Sequence, residues 1–225
     1  MSHIAAPKAN GTAAQGEGTP LNTPSRLIVA ITGASGFVYG HRLLELLRPT
    51  GIEVHLIVSR AAQLTMACET TLHLSDVTAL ATKLHKNEDI GACIASGSYR
   101  TLGMVVAPCS MKTLAEIAHG TGGTLVARAA DVMLKERRRL VLLARETPLT
   151  LTHIRNMLAV TEMGAIVAPP VPAFYARPQD LDEMVDHTLG RVLDLFDIDV
   201  GAVRRWTGPA SGRSFDEAKA GNNEP

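Results

Sequence analysis

Residues 28–47 read IVAITGASGFVYGHRLLELL. An apolar, β-branched run enters a glycine-rich turn and leaves it as a helical pattern. A strand that feeds a helix through so few residues belongs to a sheet whose strands are joined by crossovers. The helix start is also the positive end of a peptide dipole, with backbone N–H groups to offer an anion. The spacing is Gly33-x-x-Gly36-x-x-x-Gly40 rather than the G-x-G-x-x-G of ordinary dinucleotide folds. The turn therefore announces a phosphate ligand without naming it.

The same alternation recurs along the chain. Arg26–Thr32, Glu53–Ser59, Leu102–Pro108, Arg139–Ala144 and AIVAPP read as strands. Between them lie helical patterns: one placing Leu43, Leu44 and Leu47 on a single face, one from about Ala61, and one in SDVTALATKL capped by Ser75. Further helices run to Gly120, from Ala127 to Arg138, to Gly164, and from Asp180 to Phe196. The expected fold is α/β, a single-domain Rossmann-like (flavodoxin-like) doubly wound parallel sheet over residues 25–207. Residues 1–24 and 208–225, rich in Gly, Ala, Pro, Thr and Asn, read as loose tails.

Composition narrows the function. Lys and Arg balance Asp and Glu at 22 each, so no global field recruits nucleic acid or an anionic membrane. No apolar run reaches the roughly 18 residues of a spanning helix, and the N-terminus has no secretory core. Three widely spaced cysteines give neither a disulfide framework nor a zinc pattern, which fits a reducing cytoplasm. The eight histidines form no ligand-spaced set, so no metal is expected.

Ligands of such sheets sit beyond the carboxyl ends of the strands. After the first strand comes TGASG, with Ser35 at the mouth of the helix. After the second comes Ser59-Arg60, where an NAD-binding fold places an acid for the ribose, so NAD is disfavoured while Arg60 leaves NADP open. After the third, Ser110 and Thr113 frame a second helix start. Cys109 reads as a buried structural thiol rather than a nucleophile.

The basic cluster is the sharpest feature. Arg128, Asp131 and Lys135 recur at i, i+3 and i+7 on one helix face, while Arg137–Arg139 read as a solvated run. The next strand delivers Arg145-Glu146 at its carboxyl end. An Arg can grip a phosphate by paired hydrogen bonds, and a Glu partly withdrawn from water can exchange a proton.

These residues resemble the UbiX-type flavin prenyltransferase family. The resemblance covers nearly all of Arg26 to Trp206 and rests on TGASG, VSRAA, ETTLHL, ASGS, APCSMKTLA, RAADVMLKERR, RETPL, PPVPAFY and RW. It implies an FMN-binding enzyme that joins a dimethylallyl group from dimethylallyl monophosphate to N5 and C6 of reduced FMN, without a metal. It also implies a homododecamer built from trimers, with FMN at subunit contacts, and a UbiD-type decarboxylase that takes the product, as in ubiquinone biosynthesis. By position, Gly33, Ala34, Ser35, Ser59, Ser110, Met111, Lys112, Thr113 and Arg145 are the implied FMN contacts. Arg128, Lys135, Tyr175 and Arg191, with Ser96 or Ser98, are the implied prenyl-phosphate binders. Glu146 and Glu69, with Ser35 and Lys135, are the implied catalytic groups. Gly122-Gly123-Thr124 departs from the Asp or Asn often found there, putting one helper hydrogen bond in question.

Three other readings compete. An NADP-linked short-chain reductase needs Tyr-x-x-x-Lys, and none of the three tyrosines has Lys four residues on. The related flavin-dependent cysteine decarboxylases carry PASANT where this chain has PCSMKT, so Lys112 replaces their functional Asn. A non-catalytic FMN-binding subunit of a decarboxylase complex leaves the Lys135, Arg145 and Glu146 set unexplained.

Overall fold

A computed structural model describes residues 25–208; the two tails, residues 1–24 and 209–225, lie outside them. Six parallel strands, β1 (Arg26–Ile31), β2 (Glu53–Val58), β3 (Lys83–His85), β4 (Gly103–Cys109), β5 (Arg139–Ala144) and β6 (Ile166–Val167), stand in the order β3-β2-β1-β4-β5-β6. This is the doubly wound order expected, and it reverses direction between β1 and β4, where such sheets hold their ligands.

The central strands are apolar throughout because both faces are covered. Leu27, Val29 and Ile31 pack with Val105, α1 (Phe37–Leu47), α2 (Arg60–Glu69), α3 (Leu74–Thr78) and α7 (Leu181–Asp194). Ile28 and Ala30 point the other way, with Met104 and Val106, onto α4 (Met111–Ala118), α5 (Leu125–Lys135) and α6 (Leu151–Glu162). Each fully interior Leu or Ile contributes about 1.5–3 kcal/mol by burial, so two aliphatic layers suffice in a chain with 4% aromatics. Arg42 on α1 grips both oxygens of Asp186 on α7 at 2.6 and 2.9 Å, fixing the two helices in register.

Two elements differ from expectation. SDVTALATKL is not one helix: α3 ends at Thr78, and Lys83–His85 turn into an edge strand paired with β2. A strand of three residues is too short to show alternation. Nor does Ser75 cap α3; His73 is the cap, and its N–H donates to the Asp76 carboxylate at 2.8 Å. The basic-cluster helix begins earlier and ends earlier than its pattern suggests, because Thr124 caps it and Arg137 turns to φ 55°.

The face beside α5 holds a polar exception. Among aliphatic neighbours, His55 Nδ1 lies 2.8 Å from His85 Nε2, and the Tyr99 hydroxyl lies 3.0 Å from His55 Nε2. Burial first, then the charges of His85, Lys83 and Arg26, push the His55 pKa down to about 4. Among the described residues no helix is long and apolar enough to cross a membrane.

Candidate functional site

At the reversal point, α2 and α4 start side by side. Ser59 and Ser110 cap them, each hydroxyl accepting from an amide three residues on, Ala62 at 3.1 Å and Thr113 at 3.3 Å. The amides of Arg60, Ala61, Met111 and Lys112 have no acceptor among the described residues, as expected for the first turn of a helix. Both helix ends open into a cavity of about 350 Å³ lined by Gly33, Ser59, Ser110, Lys112, Thr113 and Asn87, among others. Gly33 is fixed by close approach: a Cβ there would stand 2.3 Å from that of Ala61. Two orphaned helix ends, hydroxyls and two cationic side chains around a cleft suit a phosphorylated cofactor of FMN's kind. Four expected contacts, Gly33, Ser59, Ser110 and Thr113, thus converge, and Lys112 joins them while pairing with Glu116 at 2.9 Å. Met111 opens α4 beside them.

The first helix end, where the sequence suggested an anion, is already taken. Gly36 in a left-handed conformation (φ 99°) precedes α1 without a side-chain cap of its own. Glu69, at the end of α2, fills the gap: its carboxylate accepts from Gly36 N at 2.9 Å and from Phe37 N at 2.9 Å. Burial works upward on its pKa, but the Ser35 hydroxyl, the amides of Phe37 and Gly36 and the charge of Arg145 outweigh it and hold it below the carboxylate range. Glu69, Ser35 and Arg145 therefore stand together. Ala34 is buried beside them.

A third group forms around α5. Arg128 and Asp131 pair at 2.8 Å, and Lys135 turns to Glu136. Ser96 and Ser98, with hydroxyls 2.9 Å apart, face this end of the helix across Gly97. A Cβ on Gly97 would stand 2.7 Å from Lys135 Nζ, so a larger residue there would displace the flexible ends of Lys135 and Glu136. Arg138 belongs to this group although its sequence context suggests a solvated charge. Its guanidinium donates to the carbonyls of Gly97 at 2.6 Å and Tyr99 at 2.7 Å, holding the serine loop in place. Arg139 pairs instead with Asp197. After Gly122-Gly123, the Thr124 hydroxyl accepts from Ala127 N at 3.3 Å and the Asn87 side chain from Val126 N at 3.2 Å.

Tyr175 and Arg191 stand apart from these groups. They line a second cavity of about 340 Å³ with Thr188, His187 and Val171. The Tyr175 ring packs edge-on against His187 and Trp206, with centroids 5.6 and 5.8 Å away, and Arg191 pairs with Asp194 at 2.7 Å. Nor is Glu146 withdrawn from water as expected. Arg145 and Glu146 are exposed, and Glu146 accepts from Thr147 N at 2.9 Å. Strand β5 ends at Ala144, so the pair projects past the buried sheet rather than within it.

Comparison with known proteins bears directly on this arrangement. The Flavoprotein family profile matches residues 17–193. The flavin prenyltransferase UbiX of Neisseria meningitidis serogroup B is 56% identical over 185 residues, spanning 82% of this chain and 98% of that protein. The chain belongs to the UbiX flavin prenyltransferase family. Its counterpart in Escherichia coli K12 is 54% identical over 186 residues, covering 81% of this chain and 98% of that protein. The crystal structure of AnUbiX (PadA1) in complex with FMN and dimethylallyl pyrophosphate superposes with a TM-score of 0.81 at 51% identity, covering 83% of this chain and all (100%) of that one. A dodecameric FMN-dependent UbiX-like decarboxylase from E. coli O157:H7 gives 0.79 at 49% identity, covering 81% and 100%. The cysteine decarboxylase SpaF, at 15% identity and a TM-score of 0.53, shares the fold alone.

One further cluster had no signal in the histidine spacing. The fold brings His55, His85 and Cys93 together so that one ligand atom from each lies within 4.8 Å of the others. Sequence separation hid it, because the residues come from two strands and a loop that only the sheet order makes neighbours.

Proposed function

We propose that this family member transfers the dimethylallyl group of dimethylallyl monophosphate to reduced FMN, yielding prenylated FMN for a UbiD-type decarboxylase. The observation that carries this reading is the pair of helix starts, α2 and α4, whose first amides lack acceptors among the described residues and which open on one cavity at the carboxyl ends of the strands. Family membership supplies the chemistry that such a site serves. FMN supplies the nucleophilic ring positions that accept the prenyl group.

The chain's own residues divide the remaining work. The first amides of α2 and α4, with Ser59, Ser110, Thr113 and Lys112, bind the cofactor at the reversal point. Lys135, beside Ser96 and Ser98, and Arg128, two turns earlier on the same helix, offer cations and hydroxyls to the prenyl phosphate. Arg145 can grip a phosphate by paired hydrogen bonds. Glu146, free of ion pairing among the described residues, gives a proton to the departing phosphate or accepts one from the flavin. Glu69 orients Ser35 and the start of α1.

Tyr175 and Arg191 reach the same substrate when chains assemble. Their cavity, lined in part by α7, is separate from the helix-end cavity, and the dodecameric form of the E. coli relative supports a reading in which chains come together. Helix α7 spends its apolar face on the core through Val185, Leu189, Val192 and Leu193. The exposed apolar stripe lies on α6, where Leu151, Ile154 and Leu158 are each more than half exposed at 60%, 51% and 58%. We assign the subunit contact to that stripe.

Anaerobic incubation of the protein with FMN, a reductant and either dimethylallyl monophosphate or dimethylallyl pyrophosphate tests the reading. A mass spectrum of the extracted flavin should show one added five-carbon unit, with the monophosphate the better donor. Unmodified flavin with both donors would refute the transfer.

A further inference from the structure

His55, His85 and Cys93 do not line the helix-end cavity, and none of the steps above uses them. His55 and His85 are buried, at 3% and 6% exposure, on the sheet face beneath the segment that joins β3 to β4. Cys93 opens a short 3-10 turn, Cys93–Ala95, in that segment and is only partly covered. The three residues thus come from β2, β3 and the loop lying over them.

The geometry is that of a ligand set with one proton too many. The rings of His55 and His85 are stacked 5.1 Å apart at 20°, with Nδ1 and Nε2 2.8 Å from each other. Two imidazole nitrogens on a tetrahedral zinc, at bond lengths of about 2.0–2.1 Å, stand about 3.3 Å apart. The pair must therefore open by only about 0.5 Å to admit a metal of that size. The other nitrogen of His55 is held by the Tyr99 hydroxyl at 3.0 Å, and Arg26 lies over the Tyr99 ring at 4.8 Å. Metal-bound histidines are characteristically fixed in this way by a partner on the far nitrogen. Two imidazoles and a thiol, with no carboxylate among them, select a thiophilic d¹⁰ ion over Mg²⁺ or Ca²⁺.

We propose that His55, His85 and Cys93 form a structural site for Zn²⁺, with a water completing four-coordination. The site clamps the loop from Lys86 to Leu102 onto the sheet. On binding, the Cys93 thiol releases its proton to solvent, and the proton shared by the two rings moves to the outer nitrogen of His85. Zn–S and two Zn–N bonds replace one His–His hydrogen bond, and no redox change occurs. The same loop carries Ser96 and Ser98, so the ion would stiffen the serine pair that faces Lys135. The site itself does not depend on the proposed transferase activity.

The test uses the full-length protein, stripped with a chelator and titrated with ZnCl₂ against a chromophoric competitor, then with CoCl₂ followed by absorption. The expected result is one ion per chain, a thiolate-to-cobalt charge-transfer band with tetrahedral d–d bands, and a raised Tm with zinc. Cys93→Ser is chosen because Cys93 is the most exposed ligand and its loss disturbs packing least. It should bind zinc at least about tenfold more weakly and lose the charge-transfer band. His85→Asn should lose the ion as well, and if it fails to fold, the Cys93→Ser comparison decides alone. Equal zinc affinity in wild type and Cys93→Ser, absence of binding, or a cobalt spectrum without thiolate would each overturn the site.

Discussion

Glu69 holds the start of α1 from another helix, and its removal has a calculable consequence. The carboxylate serves the amides of Gly36 and Phe37, three contacts of 3.1, 2.9 and 2.9 Å, where the helix has no side-chain cap of its own. Losing a capping side chain costs about 0.5–2 kcal/mol, and a charge at an exposed helix start adds about 0.3–1 kcal/mol. Glu69 is exposed, so solvent screening keeps the sum toward the lower end, about 1–2 kcal/mol for Glu69→Ala. In a domain of this size that lowers Tm by about 2–8 °C, and Glu69→Gln, which keeps an acceptor without the charge, should cost about half as much. The pH dependence follows from the depressed pKa of this carboxyl. Its contribution is fully present above its ordinary value of 4.5 and is lost as pH falls through the lower folded value. Calorimetry on the flavin-free protein should therefore show the wild type and Glu69→Gln converging in acid and separating at neutral pH. A gap that stays constant or widens on acidification would refute the charged cap, and an unchanged Tm for Glu69→Ala would refute the cap altogether.

Other expectations follow from single contacts. Lys135→Ala or Arg191→Ala should weaken prenyl-phosphate binding at least about tenfold while leaving FMN bound, by calorimetric titration, because neither lines the helix-end cavity; equal loss of both ligands would show that the two phosphates share these cations. Arg138→Ala removes two hydrogen bonds from a charged donor to the serine loop and should cost about 2 kcal/mol in denaturant unfolding, with faster hydrogen exchange across Ser96–Tyr99. Cys109, fully buried with its thiol pushed up to about 12 by burial, should resist alkylation in the folded protein while exposed Cys68 reacts; modification of Cys109 at a rate like that of Cys68 would show that β4 opens locally.

The sheet was legible because its signals are local and strong. Buried parallel strands are continuous apolar runs, and β1, β2, β4 and β5 each end in a turn that carries candidate site residues. The strand-end rule then pointed to Gly33, Ser59 and Ser110, which do converge. What escaped depends on tertiary placement. β3 is an edge strand of three residues, fixed by pairing with β2 rather than by any pattern of its own. Arg138 looked like one more cation in KERRR until the fold set carbonyls of a distant loop against it. Glu69 and Gly36 are 33 residues apart, and nothing in either segment says that one caps the other. The histidine pair is hidden for the same reason, since His55 and His85 meet only because β2 and β3 are neighbours.

Glu146 is the proposed proton carrier of the transfer. In the single chain it is exposed, and its recorded contact is with the Thr147 amide. Of the cations that could make it a structural partner, Arg128 and Arg145, the first is engaged by Asp131 at 2.8 Å. A carboxylate without an ion pair among the described residues, projecting from a strand end beside Arg145, is available to carry a proton. Glu146→Gln keeps the shape and the acceptor for Thr147 but cannot exchange the proton, so FMN and prenyl phosphate should bind normally. Losing a general acid or base typically costs about 10²–10⁴ in rate, and that loss should appear in k for a single turnover on saturated protein. Stability should be unchanged within about 0.5 kcal/mol, as for a surface position away from packing. A single-turnover rate near that of the wild type would remove Glu146 from the proton path, and weakened FMN binding with a normal rate would make it a positioning residue instead.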